Sequence, residues 1–93
     1  MSPTRTPAWT AEVFITLKPS VLDPQGATVQ QALHDMGFTR LANARIGKYL
    51  TLTFPGRMAR NEVERQVKRM CDKLLVNPVI ERYRIAVSRG GAA

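Results

Sequence analysis

Seven carboxylates, one histidine and one cysteine are the groups in this chain best suited to acid–base, nucleophilic or metal chemistry. The acids are Glu12, Asp23, Asp35, Glu62, Glu64, Asp72 and Glu81, and no spacing among them pairs two carboxylates or builds an oxygen cage for a cation. His34 stands next to Asp35, well around a helical stretch from Val29 and Leu33. With no paired base or nucleophile, it has the pattern of a surface histidine. Cys71 falls on the apolar side of a second helical stretch, where a thiol packs as a small hydrophobe and its thiolate is disfavoured. Gly26 and the pair Gly47-Lys48 make no phosphate loop, because the spacing G-x-x-x-x-G-K-[ST] is absent. The residues therefore predict no catalytic, cofactor-binding or metal-binding group. Asp23 reads instead as a helix cap, with Pro24 at the first helical position where its missing N–H costs nothing.

The elements follow from periodicity and turn chemistry. Val13, Ile15 and Leu17 alternate with Glu12, Phe14, Thr16 and Lys18 as a strand with one buried face, ended by Pro19. A helix over 24–36 presents Val29, Ala32, Leu33 and Met36 as its buried stripe, and Gly37 supplies the left-handed stop. From Leu41 to Phe54 apolar residues recur with period two, interrupted at Gly47-Lys48. This predicts one long bent strand, or two strands meeting there. Pro55-Gly56 closes it. The second helix carries Val63, Val67, Met70, Cys71 and Leu74 on its inner face, with Asn61 and Glu64 at capping-box spacing, and Asn77-Pro78 ends it. A last strand over 79–87 puts Tyr83, Ile85 and Val87 opposite Arg82 and Arg84.

The order β-α-β-α-β predicts an α+β, two-layer sandwich, with two helices on one face of an antiparallel sheet. Phe14, Tyr49, Ile80 and Ala86 have the parity to make the other face partly apolar, so a partner chain is expected to cover it. The domain is expected over 11–87, between disordered tails at 1–10, which holds Trp9, and at 88–93. A domain of 93 residues hides only about 60–65% of the surface of its unfolded chain, which favours self-association.

Fourteen Lys and Arg against seven acids give a net charge of +7, suited to nucleic acid, phosphorylated metabolites or an acidic protein surface. Along the second helix the cations alternate with acids, as on a solvated face. A lone cysteine, no leader-like apolar stretch and no run of about 20 apolar residues point to a soluble protein of a reducing cytoplasm, with no membrane partner. A small basic RNA-binding module and a ligand-sensing regulatory dimer are the alternative readings. The three aromatics Phe14, Tyr49 and Tyr83 lack the dense pattern of an RNA-reading sheet, so no nucleic-acid partner is expected.

Three segments in order resemble one family. Leu17-Lys18-Pro19-Ser20-Val21-Leu22-Asp23-Pro24-Gln25-Gly26, Arg45-Ile46-Gly47-Lys48-Tyr49, and the run from Met70 to Glu81 are similar to the motifs of PurS, the small subunit of formylglycinamide ribonucleotide amidotransferase (phosphoribosylformylglycinamidine synthase). The likeness covers about 12–87. The Trp9 extension, the Gly-Gly-Ala-Ala end and the segment Arg57-Met58-Ala59-Arg60 depart from the family pattern.

The resemblance implies a non-catalytic subunit in purine biosynthesis. It bridges a glutaminase subunit and an ATP-dependent synthetase subunit, so that glutamine-derived ammonia reaches formylglycinamide ribonucleotide. ATP, Mg and glutamine are used by those partners, and this chain holds no cofactor. The resemblance also implies a homodimer or tetramer, with exchange of a segment around the first helix and middle strand. The candidate subunit-interface residues are Asp23, Pro24, Gln25, Gly26, Arg45, Gly47, Lys48, Asn77 and Pro78. Turn residues also serve local geometry, so each has a purely structural reading beside the interface one.

Overall fold

Alternating apolar residues of the first and last segments meet across one sheet in the computed structural model, which describes residues 8–90. The elements are β1 (Trp9–Leu17), α1 (Pro24–Asp35), β2 (Lys48–Phe54), α2 (Arg60–Met70), a π turn (Cys71–Leu75) and β3 (Glu81–Arg89). The sheet has the order β2-β1-β3, and both pairings are antiparallel. Trp9, Ala11, Val13 and Ile15 point inward from the central strand and pack with Val63, Val67, Cys71, Val76 and Val87. The α+β class and the facing of β3 agree with the periodicity.

The tail boundaries are corrected. β1 begins at Trp9, inside the segment expected to be a tail, and β3 runs on to Arg89. Trp9 pairs with Phe54 on one side and Arg89 on the other, and its indole Nε1–H donates to the Met58 carbonyl at 2.7 Å. The ring is buried, so the strand gains apolar area that composition alone concealed. The remaining tail assignments, 1–7 and 91–93, lie outside the described residues.

The middle strand is shorter than expected, because β2 begins only at Lys48 and residues 41–47 belong to no strand. Their backbone groups are satisfied by side chains of the preceding segment. His34 Nε2–H donates to the Leu41 carbonyl at 2.7 Å, and Gln30 bonds Ala42 O at 3.4 Å and Ala44 N at 3.3 Å. The Asp23 carboxylate accepts from Ile46 N at 2.8 Å. Ala42 O, Ala44 N and Ile46 N thus face α1, and an extended chain turns the groups of Asn43 and Arg45 the other way.

The placement of α1 differs most from expectation. Only α2 packs on the sheet, over β1 and β3. α1 and its return segment stand out as an arm, and the stripe expected in the core is open, with Val29 40% and Met36 72% exposed. The Cα radius of gyration is 17.4 Å, against about 13 Å for a compact domain of 100 residues. α1 does end as read, at Gly37 with φ 104°.

Two details of α2 are also corrected. Its N-cap is Ala59 with no side-chain bond, so the Asn61–Glu64 box does not form. Val63, Val67 and Cys71 are fully buried, but Leu74 is 83% exposed. The π turn closes with Val76 N on Cys71 O at 3.0 Å, a ring wider than that of an α-helix. That extra residue rotates Leu74 outward and brings Leu75 and Val76 to the core.

Candidate functional site

The interface candidates read from the sequence converge at one end of the sheet, where β1 leaves, β2 enters and β3 begins. Asp23 is the centre. Its backbone is extended (φ −117°, ψ 92°), which aims the carboxylate at the first turn of α1, and Oδ1 accepts from Gly26 N at 2.8 Å while Oδ2 takes Ile46 N. These two N–H groups, Gly26 first, hold its carboxyl below the usual carboxylate range, helped by nearby Arg45. The Arg45 Nη2 donates to the carbonyls of Lys18 at 2.9 Å and Val21 at 3.0 Å, tying the return segment to the turn after β1.

Both glycines are required by close approach. A Cβ on Gly26 would overlap the Ala44 carbonyl and the Asp23 carboxylate, and one on Gly47 would overlap the Ile15 carbonyl. Pro24 and Gln25 stay exposed at the start of α1.

Asn77 and Pro78 join this region through Glu81, which sequence reasoning passed over. The Glu81 carboxylate accepts from Asn77 N at 2.8 Å and pairs with Lys48 Nζ at 3.4 Å. The Asn77 bond and, after it, Lys48 hold its carboxyl below the ordinary value. Asn77 Oδ1 accepts from Val79 N at 3.0 Å, completing an Asx turn. Ile15, Leu17, Asp23, Ile46, Lys48 and Glu81 line a cleft of about 250 Å3 here. No spacing in the sequence announces the Lys48–Glu81 pair, since the two residues lie far apart in the chain and meet only through the sheet. The nine candidates thus include residues that fasten the chain to itself, namely buried Asp23 and Gly26 and exposed Arg45 and Gly47, beside the exposed Pro24, Gln25, Lys48, Asn77 and Pro78.

A second surface lies beside α2. Because α2 lies over β1 and β3, the inner side of β2 (Leu50, Leu52, Phe54) is only partly covered, and Leu52, Met70, Leu74 and Leu75 line a groove of about 490 Å3 with Gln66, Arg69 and Lys73 at its edge. On the opposite sheet face the Phe14 and Tyr49 rings are 5.1 Å apart, the Arg84 guanidinium stacks 4.1 Å from the Phe14 centre, and Tyr49 Oη–H donates to Glu12. That bond raises the Tyr49 hydroxyl pKa. Ile80, expected on this face, sits in the turn before β3, where its carbonyl accepts from Lys18 N.

His34 is half-buried, so its expected solvent setting is replaced by the bond to Leu41. Cys71 is buried, and burial first, then Asp72, pushes its thiol pKa up, away from nucleophilic use. Among the described residues no group of three or more His, Cys, Asp or Glu side chains gathers as for a metal ion, and no helix is long and apolar enough to cross a membrane.

A family model described as PurS, phosphoribosylformylglycinamidine (FGAM) synthase, matches residues 10–89. The phosphoribosylformylglycinamidine synthase subunit PurS of Bacillus subtilis is 49% identical over 76 residues, 82% of this chain and 88% of the relative. The Synechocystis protein of the same name is 41% identical over 83 residues, 87% of this chain and 80% of the relative. Among solved structures, Bacillus subtilis PurS superposes with a TM-score of 0.76 at 46% identity, covering 87% of this chain and 99% of its own. The structure of PurLQS from Thermotoga maritima gives 0.79 at 27% identity, covering 88% and 99%. The match takes in both helices, the Asp23–Arg45 junction and all of the sheet but Trp9, and by it the chain belongs to the PurS family of phosphoribosylformylglycinamidine synthase subunits.

Proposed function

We propose that this chain is the bridging subunit of phosphoribosylformylglycinamidine synthase, docking a glutaminase subunit onto an ATP-dependent synthetase subunit in the cytoplasm. The observation that carries this is the family match over residues 10–89, with relatives that bear that subunit name. In this reading glutamine, ATP and Mg belong to the partner subunits, and this chain contributes shape and attachment. The exposed part of the candidate set, Pro24, Gln25, Arg45, Gly47, Lys48, Asn77 and Pro78, supplies partner contacts at the sheet end.

The same reading makes the working unit a homodimer built by arm exchange. An apolar stripe on α1, with Val29 and Met36 exposed and Leu33 half-buried, and a groove beside β2 (Leu52, Met70, Leu74) exist in one chain without meeting. A second copy lets each arm fill the other's groove, and the unpaired edge at Asn43 and Arg45 then meets a strand of the partner. That restores the two-helix layer expected from the sequence, with one helix from each chain.

The test is reconstitution. Glutamine-dependent formation of formylglycinamidine ribonucleotide is measured with the glutaminase and synthetase subunits, with and without this chain, and ammonia-dependent synthesis serves as the control. Loss of the glutamine-dependent rate alone on omission is the expected result. An equal rate without the chain rejects the bridging role.

A further inference from the structure

Two residues decide the direction in which the arm leaves the sheet. Residues 24–45 make an excursion whose ends are fastened by one side chain, because the Asp23 carboxylate holds Gly26 N at the outgoing end and Ile46 N at the returning end, each at 2.8 Å. Arg45 adds a second tie, from the returning end to the carbonyls of Lys18 and Val21. Close backbone approach of Gly26 to Ala44 and of Gly47 to Ile15 sets the two chain segments side by side where they leave the sheet. Within the arm, Gln30 and His34 join helix to return segment, so the arm moves as one piece.

We propose that the Asp23–Arg45 clasp is an assembly switch: it holds α1 outward, where it can reach a second copy, and its release lets α1 fold back onto the groove of its own chain. The inference rests on the arm-exchange reading above. Its physical basis is competition. The groove over β2 is present in each chain and fits the same apolar stripe, and a tethered helix reaches its own groove at a high effective concentration. Exchange therefore requires that the closed arm be disfavoured, and the clasp supplies that bias by fixing the exit of both chain segments. Loosening it lowers the fraction of chains ready to exchange, and the apparent dimer affinity falls with that fraction.

Asp23→Asn tests half the clasp, since the amide oxygen still accepts from Gly26 N while the amide nitrogen cannot accept from Ile46 N. Arg45→Ala removes the other tie. Circular dichroism and melting select the variants that remain folded. Light scattering over a dilution series gives the dimer dissociation constant, and cysteines at Leu33→Cys and Leu52→Cys report which groove the arm occupies.

With the clasp intact, disulfides should join Leu33→Cys of one chain to Leu52→Cys of another. In the folded double variant D23N/R45A the dissociation constant should rise at least about tenfold, and with both cysteines on one chain the cross-link should become intramolecular. Unchanged dissociation constants and interchain cross-links in the folded variants would overturn the clasp and leave arm exchange standing. Absence of interchain cross-links with the clasp intact would defeat arm exchange, and the clasp inference with it.

Discussion

The Arg89 guanidinium lies 4.0 Å from the centre of the Trp9 indole, so the first residue of β1 and the last of β3 are stacked as well as paired. Arg60 approaches the same ring at 5.9 Å and donates to the Val87 carbonyl at 2.6 Å. The strand ends are thereby closed by a cation–aromatic contact from two elements.

Truncating this ring should be costly. Trp9→Ala is expected to destabilise by about 3–5 kcal/mol, through lost burial and a cavity, and Trp9→Phe by about 1 kcal/mol, mainly through the lost bond to Met58. Urea unfolding measures both. If Trp9→Ala left the midpoint unchanged, the ring would not belong to the core.

Gly26 inverts the usual helix rule. Glycine to alanine inside a helix normally gains up to about 1 kcal/mol, yet here the added methyl meets the Ala44 carbonyl. Gly26→Ala and Gly47→Ala should each lose about 1–3 kcal/mol by overpacking. Thermal melts of the two variants decide it, and a stabilised Gly26→Ala would refute the close approach.

Lys48 is a poor choice for a charge-reversal test of docking, because its ammonium already faces Glu81. The lysine is largely exposed, so Lys48→Gln should cost no more than about 1 kcal/mol, while Lys48→Glu sets two carboxylates together and costs more. Chemical denaturation of both variants shows the ordering. A neutral Lys48→Glu would mean that the ion pair is absent in solution; with the pair present, Lys48→Gln is the cleaner probe of partner binding.

Acid should unfold the protein through Asp23 and Glu81. Each carboxyl has its folded pKa lowered, chiefly by Gly26 N–H and Asn77 N–H respectively. Their contribution is complete above the ordinary carboxylate pKa of about 4 and is lost as pH falls through the lowered folded values. Urea midpoints between neutral pH and pH 3 should drop on acidification, with a shallower drop for Asp23→Asn. Identical slopes would show that Asp23 does not contribute.

The sequence was legible where a residue's partner lies nearby in the chain or shares its periodicity. Asp23-Pro24 announced the start of α1, Val63 and Val67 announced the inner side of α2, and Tyr83, Ile85 and Val87 announced that of β3. It was illegible where distant groups override the local pattern. The alternation of Ala42, Ala44 and Ile46 reads as a strand, but Gln30 and Asp23 occupy the backbone groups a strand would pair. Leu74 obeys the helical period, but the π turn shifts the phase. Trp9 looked like tail because two prolines precede it, and only the pairing with Phe54 and Arg89 shows its worth. The stripe on α1 was expected in the core, but periodicity cannot say whether a helix lies on its sheet, and α1 stands off it. The candidate site was found as a set of turn residues, and which of them fasten the chain to itself needed coordinates.

The π turn at Cys71–Leu75 also has an evolutionary reading. A π turn is equivalent to one residue inserted into an α-helix, so the sequence here carries a single-residue excess that the backbone absorbs without moving Val63 or Val67. Deleting Lys73 would let the helix run on as regular α and carry Leu75 into the inward phase vacated by Leu74. The helix exit can therefore lose one residue with the core composition kept and only a solvent-facing lysine removed.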